Sequence, residues 1–201
     1  MNIEAMAVRT GRNCESEEPG DALSHLPGLP PLHPPRPLRP FRQGSLDCYC
    51  GFYAIANAML RLKPHAFTQD QDGPQDLLRA MMKAAACICA PEELIREGMD
   101  GIEIDYVARA AIRHMRRKKH RFKLTQPSRL RLREPRKDVG AWFTAAAVLP
   151  SVSVILYIEQ QDGSHWSVLK DVRGSRALLF DSDTMASVDL KRCEPWLVLR
   201  A

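Results

Sequence analysis

The stretch RQGSLDCYCGFYAIANAM, residues 42–59, marks a change in the character of the chain. Before it the sequence is rich in proline, and within it apolar residues begin to recur with helical spacing. Phe52, Ile55 and Met59 lie three and four residues apart, which places them on one face of a helix. The residues just upstream are polar and lack this spacing. We therefore predict a buried helix that begins at or beside Cys50.

The residues before this stretch have a different composition. Residues 26–40 read LPGLPPLHPPRPLRP, and proline both removes backbone donors and favours the extended polyproline II conformation. We predict a disordered Pro-rich leader over residues 1–40, followed by one domain over residues 41–201. A docking segment for a Pro-recognising partner is the alternative interpretation of the leader.

The bulk composition suits a single domain of ordinary size. The chain has 201 residues, 45% of them hydrophobic, and 29 Lys and Arg against 24 Asp and Glu give a net charge of +5. The N-terminus lacks the pattern of a signal peptide, and the apolar run over residues 148–158 is too short to span a bilayer. We expect no membrane span, reduced thiols, and a cytoplasmic protein or one delivered into a target cell without a classical signal peptide.

Helical patterns precede strand patterns along the chain. Four further helices are predicted over residues 75–89, 91–97, 105–115 and 138–149, and four strands over residues 151–158, 165–172, 176–182 and 196–199. Glycines lie in the connections between the first three strands, which favours antiparallel hairpins. Helices first and an antiparallel sheet afterwards predict the α+β class.

Cys50 has the local environment that a cysteine nucleophile needs. The thiolate is the reactive form, and the partial positive charge and free amides of a helix N-terminus favour it. Gly51 leaves the sulfur uncrowded, and the side-chain amide of Gln43, in the upstream loop, can donate to an oxyanion beside the Cys50 amide. Cys48 is the alternative nucleophile, although it precedes the helical pattern.

The nucleophile also requires a base that a third group orients. His165 opens a strand after a Gly-containing turn, whereas the next strand ends at Asp181. In an antiparallel hairpin the start of one strand lies beside the end of the next, so His165 and Asp181 are expected to be neighbours. Asp183 is a weaker candidate for the orienting group. The other five histidines lie in the leader, after a helix-ending proline or in a basic stretch: His25, His33, His65, His114 and His120.

These segments resemble the papain-like cysteine peptidase superfamily. RQGSLDCYCGFYAIANAM is similar to the nucleophile region of small bacterial members with an RQG-LD--CG-Y---NA pattern, and SHWSVL and LLFDSD resemble the superfamily's His strand and its Asp or Asn strand. The resemblance implies Cys50 as nucleophile, His165 as general base, Asp181 as orienting acid and Gln43 as oxyanion donor. It also implies an N-terminal helical half, carrying the nucleophile helix, packed on a C-terminal antiparallel sheet.

The expected activity is that of a cysteine hydrolase that attacks an amide or isopeptide carbonyl of a protein or peptide substrate. Peptide hydrolysis is the default expectation, and a small bacterial toxin or effector would suit this architecture. A glutamine deamidase or transglutaminase-like acyl transferase would use the same residues. No cofactor is expected. A zinc site is a rival interpretation of the two Cys-x-Cys pairs, but structural zinc prefers wider spacing.

The basic stretch over residues 113–137 allows a second class of function. A solvated face is the default interpretation, and a patch for an acidic partner is the alternative, which would make the chain a non-catalytic binding module. Alternating Arg129, Arg131 and Arg133 predict an exposed edge strand. Phe122 is the one aromatic residue in the stretch, which argues against stacking on nucleic acid, so a nucleic-acid partner is not expected.

Overall fold

The apolar stripe after Cys50 forms helix α1, Cys50–Leu62, in a computed structural model of the chain. The structure describes residues 38–43, 48–68, 72–127, 139–161 and 163–201. Ten of the thirteen residues of α1 are buried, so the helix lies in the middle of the domain and not on its surface. The prediction of a buried helix starting at Cys50 is confirmed.

Four more helices follow α1 in the chain before the first strand. Their bounds are α2 His65–Thr68, α3 Gly73–Ala85, α4 Pro91–Glu97 and α5 Gly101–Arg117. Helix α5 starts four residues before its predicted start because Asp100 and Glu103 form a capping box. The Asp100 carboxylate accepts the backbone N–H of Glu103 at 2.8 Å, and the Glu103 carboxylate accepts that of Asp100 at 2.8 Å.

The strands form one antiparallel sheet. Their bounds are β1 Lys123–Thr125, β2 Val152–Gln160, β3 Gly163–Arg173, β4 Arg176–Leu179, β5 Ser187–Asp189 and β6 Cys193–Arg200, with helix α6, Val139–Ala147, between β1 and β2. The order across the sheet is β1-β6-β2-β3-β4-β5, and every neighbouring pair is antiparallel. The mixture of helices with an antiparallel sheet confirms the α+β class.

The sheet is covered on both faces. Ile155 of β2 and Val168 of β3 pack with helices α1 to α5, whereas Val154 and Leu156 of β2 pack with Phe143 of α6. A strand buried on both faces reads as a nearly continuous apolar run, which is the pattern of SVSVILYI over residues 151–158. The sequence prediction named α6 as a helix but did not place it on the opposite face from α1.

Three predicted elements end earlier than expected, and one of them is α6, which ends at Ala147 and not at residue 149. Helix α3 ends at Ala85, so Cys87 and Cys89 lie in the turn after it and not on a helix. Strand β4 ends at Leu179, and therefore Asp181 belongs to the loop after the strand. The predicted leader lies outside the described residues apart from 38–40, and the predicted edge strand at Arg129 to Arg133 lies outside them altogether.

Candidate active site

Cys50 is the first residue of α1, and its side chain is buried. Tyr49, at the N-cap position, does not cap the helix with its side chain, and the first turn contains no acidic residue. The backbone amides of this turn have no partner within the helix itself, and with the helix dipole they favour negative charge at its N-terminus. The position of Cys50 therefore suits a thiolate.

His165 and Asp181 form a buried pair. His165 lies near the start of β3, and Asp181 lies in the loop after β4, where the backbone N–H of Phe180 donates to the Val168 carbonyl at 2.8 Å. The Nε2 atom of His165 is 2.7 Å from Oδ1 of Asp181. The sheet thus brings together the two side chains that the hairpin argument expects to be neighbours. Asp181 occupies Nε2, so Nδ1 is the ring nitrogen left to face Cys50.

Three other groups donate to the Asp181 carboxylate. The Ser167 hydroxyl donates to Oδ1 at 2.7 Å, and the backbone N–H groups of Asp183 and Met185 donate to Oδ2 at 3.1 and 3.2 Å. Ser167 is two residues from His165 on the same strand, so both side chains point to the same side. These bonds hold Asp181 in place and favour its charged form.

Both members of the pair have pKa values shifted from their usual ranges, and the shift of His165 is large. Burial lowers the pKa of His165, but hydrogen bonds and charge interactions with Asp181 and Cys50 outweigh it and raise the pKa to about 10. Burial raises the pKa of Asp181, but the hydrogen bond and charge of His165, with the Ser167 bond, bring it below its usual value. Both shifts favour a charged imidazolium beside a carboxylate.

Cys50, His165 and Gln43 line one pocket of about 130 Å³. Cys48 lines it too, but its Sγ lies 3.5 Å from the Arg96 carbonyl, and its own carbonyl lies 3.9 Å from the Sγ of Cys50. Of the two sulfurs, Cys50 is the one that raises the pKa of His165. The arrangement favours Cys50 over Cys48 as the nucleophile.

Two sets of hydrogen bonds hold Gln43 and the chain just before it. Its backbone N–H donates to the Ser182 carbonyl at 3.3 Å, and the Ser182 hydroxyl donates to Gln43 Oε1 at 3.0 Å. Two residues earlier, Phe41 is bound by Asn57 of α1, which accepts its N–H at 2.7 Å and donates to its carbonyl at 3.2 Å. Oε1 is therefore turned toward Ser182. The N–H groups with which the amide can donate hydrogen bonds are on Nε2.

The connection between α4 and α5 forms the opposite wall. Gly98 has φ +77°, and a Cβ there would lie 2.9 Å from the Cys48 carbonyl oxygen, so the position requires glycine. The Met99 carbonyl accepts Trp166 Nε1 at 2.7 Å. A Cβ on Gly51 would lie 2.5 Å from Met99 Cε, so a larger residue there would displace the end of the Met99 side chain, a contact that the sequence interpretation did not foresee.

Several residues of the site were missed by sequence reasoning. Ser167 and Ser182 lie within two residues of His165 and Asp181, so the alternation of strand side chains was an available signal for Ser167. Asn57, which the sequence analysis gave no role, lies on α1 and is 1% exposed. Such burial of a polar residue indicates a hydrogen-bonding task, but it is not visible before the fold is known.

The described residues also show the state of the cysteines, possible metal ligands, helix lengths and the position of the basic stretch. Their five cysteines are free thiols, and no group of three or more His, Cys, Asp or Glu among them is placed to hold a metal ion. No helix in that part of the chain is both long and apolar enough to cross a bilayer. The basic stretch begins on α5 and continues into β1; residues 128–137 lie outside the described part.

In comparisons with known proteins, no family model matches the chain and no curated protein matches its sequence. Function is therefore inferred from the geometry of the site.

Proposed function

We propose that this chain is a papain-like cysteine hydrolase that attacks an amide-type carbonyl with Cys50. The observation that carries the proposal is the buried His165–Asp181 pair, 2.7 Å apart, whose His165 lines the same pocket as Cys50 at the start of α1. A nucleophile, a base and a group that orients the base are the parts that covalent acyl transfer needs.

The first half of the reaction forms a thioester. With the proton of the pair already on His165, the Cys50 sulfur attacks the carbonyl carbon to give a tetrahedral oxyanion. Collapse of this intermediate breaks the C–N bond, and His165 gives its proton to the leaving amine. Asp181 holds the imidazole in the required orientation and stabilises its charged form throughout.

The second half hydrolyses the thioester. A water molecule gives a proton to His165 and attacks the thioester carbon, and the second oxyanion then collapses to release the acid and the Cys50 sulfur. In both halves the oxyanion is held by the Cys50 backbone amide and the Gln43 side-chain amide. Gln43 is suited to this role because Ser182 and the Phe41–Asn57 contacts fix the segment that carries it.

Peptide hydrolysis is the outcome that we propose, and a peptide mixture tests it against deamidation. The protein is incubated with peptides from a proteome digested with a glutamate-specific protease, which leaves internal arginines intact, and the products are identified by mass spectrometry. We expect new peptide termini with the wild type and with Cys48→Ala, and none with Cys50→Ala. Glutamine converted to glutamate without new termini would replace hydrolysis by deamidation, and identical products from all three proteins would contradict the proposal.

A further inference from the structure

A larger cavity adjoins the pocket that contains Cys50. Its volume is about 430 Å³, and it shares Glu97, Gly98, Met99, Ser164 and Trp166 with the smaller pocket. The two spaces are therefore neighbours with common walls. A substrate whose carbonyl lies at the Cys50 sulfur would place an adjoining side chain in the larger cavity.

The larger cavity is acidic, although the chain as a whole is basic. Four carboxylates line it, from Glu93, Glu97, Asp100 and Glu103, and no Lys or Arg is found among its lining residues in the described part of the chain. Glu97 also pairs with Arg96 at 2.7 Å, but both side chains are exposed, and such surface pairs are weak. The local charge is thus opposite in sign to the net charge of +5.

The opposite side of the same cavity is aromatic. Tyr157 and Trp166 meet edge to face with their ring centroids 5.1 Å apart, and Trp196 lies 5.7 Å from Trp166. The indole N–H groups are already used, because Trp166 donates to Met99 and Trp196 to Gly101, at 2.7 and 3.1 Å. Trp166 itself is buried, so the aromatic side offers the half-buried rings of Tyr157 and Trp196, to which a planar cation is attracted.

From these observations we propose that the larger cavity is a substrate subsite for a cationic side chain, best matched by the guanidinium of arginine. The guanidinium would lie against the aromatic side while its N–H groups face the carboxylates of Glu93 and Glu97. This inference rests on the proposed function, because the subsite serves a carbonyl presented to Cys50. It names the substrate class as peptides with an arginine next to the reacting bond.

Peptidyl chloromethyl ketones test the subsite without a known substrate. In these reagents the Cys50 sulfur displaces chloride from the methylene carbon and forms a thioether. Two tripeptide reagents carry arginine at either of the two residues nearest the ketone, and two partners carry citrulline, its uncharged isostere, at the same place. The rate of Cys50 labelling is measured by mass spectrometry. We expect one arginine reagent to label Cys50 about tenfold faster than its citrulline partner, with a smaller ratio at high salt.

Variants on α4 identify the carboxylates responsible. Glu93→Gln combined with Glu97→Gln is expected to bring the arginine-to-citrulline ratio close to one, because the carboxylates that face the guanidinium lose their charge. Neither side chain caps a helix and both are exposed, so the variant is expected to fold. Glu92→Gln, on the same helix but outside the cavity lining, is the matched control and is expected to keep the wild-type ratio.

The outcomes separate the two proposals. Rapid labelling of Cys50 by all four reagents at equal rates would overturn the cationic subsite and leave the proposed function in place. An arginine preference that persists in the double variant would also overturn it. Labelling of Cys50 no faster than that of the exposed Cys87 by every reagent would overturn the proposed function, and the subsite with it.

Discussion

Replacing Asp181 by alanine is expected to lower the free energy of unfolding by about 3–5 kcal/mol at pH 6, because the change leaves a buried imidazolium without its partner. It also removes the acceptor of the Ser167 hydroxyl and of two backbone N–H groups, and buried donors without acceptors are costly. Chemical denaturation followed by circular dichroism measures the effect. Asp181→Asn, which keeps the shape but not the charge, provides a second, milder variant.

The size of this effect depends on pH with a defined sign. The folded state raises the pKa of His165 from 6.5 to about 10, so the stabilisation is complete below pH 6.5 and is lost as the pH rises toward 10. The folded state lowers the pKa of Asp181 from 3.8, so the stabilisation is also lost as the pH falls below that value. The difference in the free energy of unfolding between wild type and Asp181→Ala is therefore greatest between pH 3.8 and pH 6.5.

Asp183 provides the matched control for Asp181. It lies two residues away, its side chain is exposed, and its contribution to the site is its backbone N–H, which alanine retains. Asp183→Ala is expected to change the stability by less than about 0.5 kcal/mol. Equal losses in the two variants, or a loss in Asp181→Ala that is constant from pH 6 to pH 10, would contradict the buried ion pair.

Replacing His165 by asparagine is expected to remove the unusual reactivity of Cys50 toward iodoacetamide. In the wild type the imidazolium holds the proton of the pair, so we expect Cys50 to react faster than the exposed Cys87 at pH 6. In His165→Asn this partner is absent, so the rate at Cys50 is expected to fall at least about tenfold, toward that of Cys87.

Peptide mapping by mass spectrometry follows this reaction at each cysteine separately. The exposed Cys87 is an internal reference in the same sample, and His65→Asn, which replaces an exposed histidine, is the control variant. The control is expected to keep the wild-type rate at Cys50. A wild-type rate at Cys50 no faster than that at Cys87 would count against a thiolate–imidazolium pair.

Local patterns were sufficient to predict the elements that carry the site. The stripe of Phe52, Ile55 and Met59 predicted that α1 begins at Cys50, and the hairpin geometry of β3 and β4 predicted that His165 and Asp181 are neighbours. Both predictions depend on residues close in sequence or on one antiparallel pairing. The capping box of Asp100 and Glu103 was also readable, and it would have extended α5 to its observed start.

Long-range packing determined the features that the sequence did not reveal. The wall formed by Gly98 and Met99 faces Cys50 because α4 and α5 pack around α1, and no local pattern in the α4–α5 connection indicates that contact. The bond between Asn57 and Phe41 joins residues sixteen positions apart. Strands β1 and β5 have three residues each, too few for a strand pattern to be recognised.

The titration of His165, followed by the ¹⁵N chemical shifts of its ring in nuclear magnetic resonance spectra, tests the pairing of Cys50 with His165 most directly. In the wild type, His165 is expected to stay protonated well above pH 8, in keeping with its raised pKa of about 10. In Cys50→Ala the pKa should fall, because the hydrogen bond and the charge of the sulfur are removed while Asp181 remains. A His165 that titrates near 6.5, with the same pKa in the wild type and in Cys50→Ala, would contradict the proposed catalytic pair.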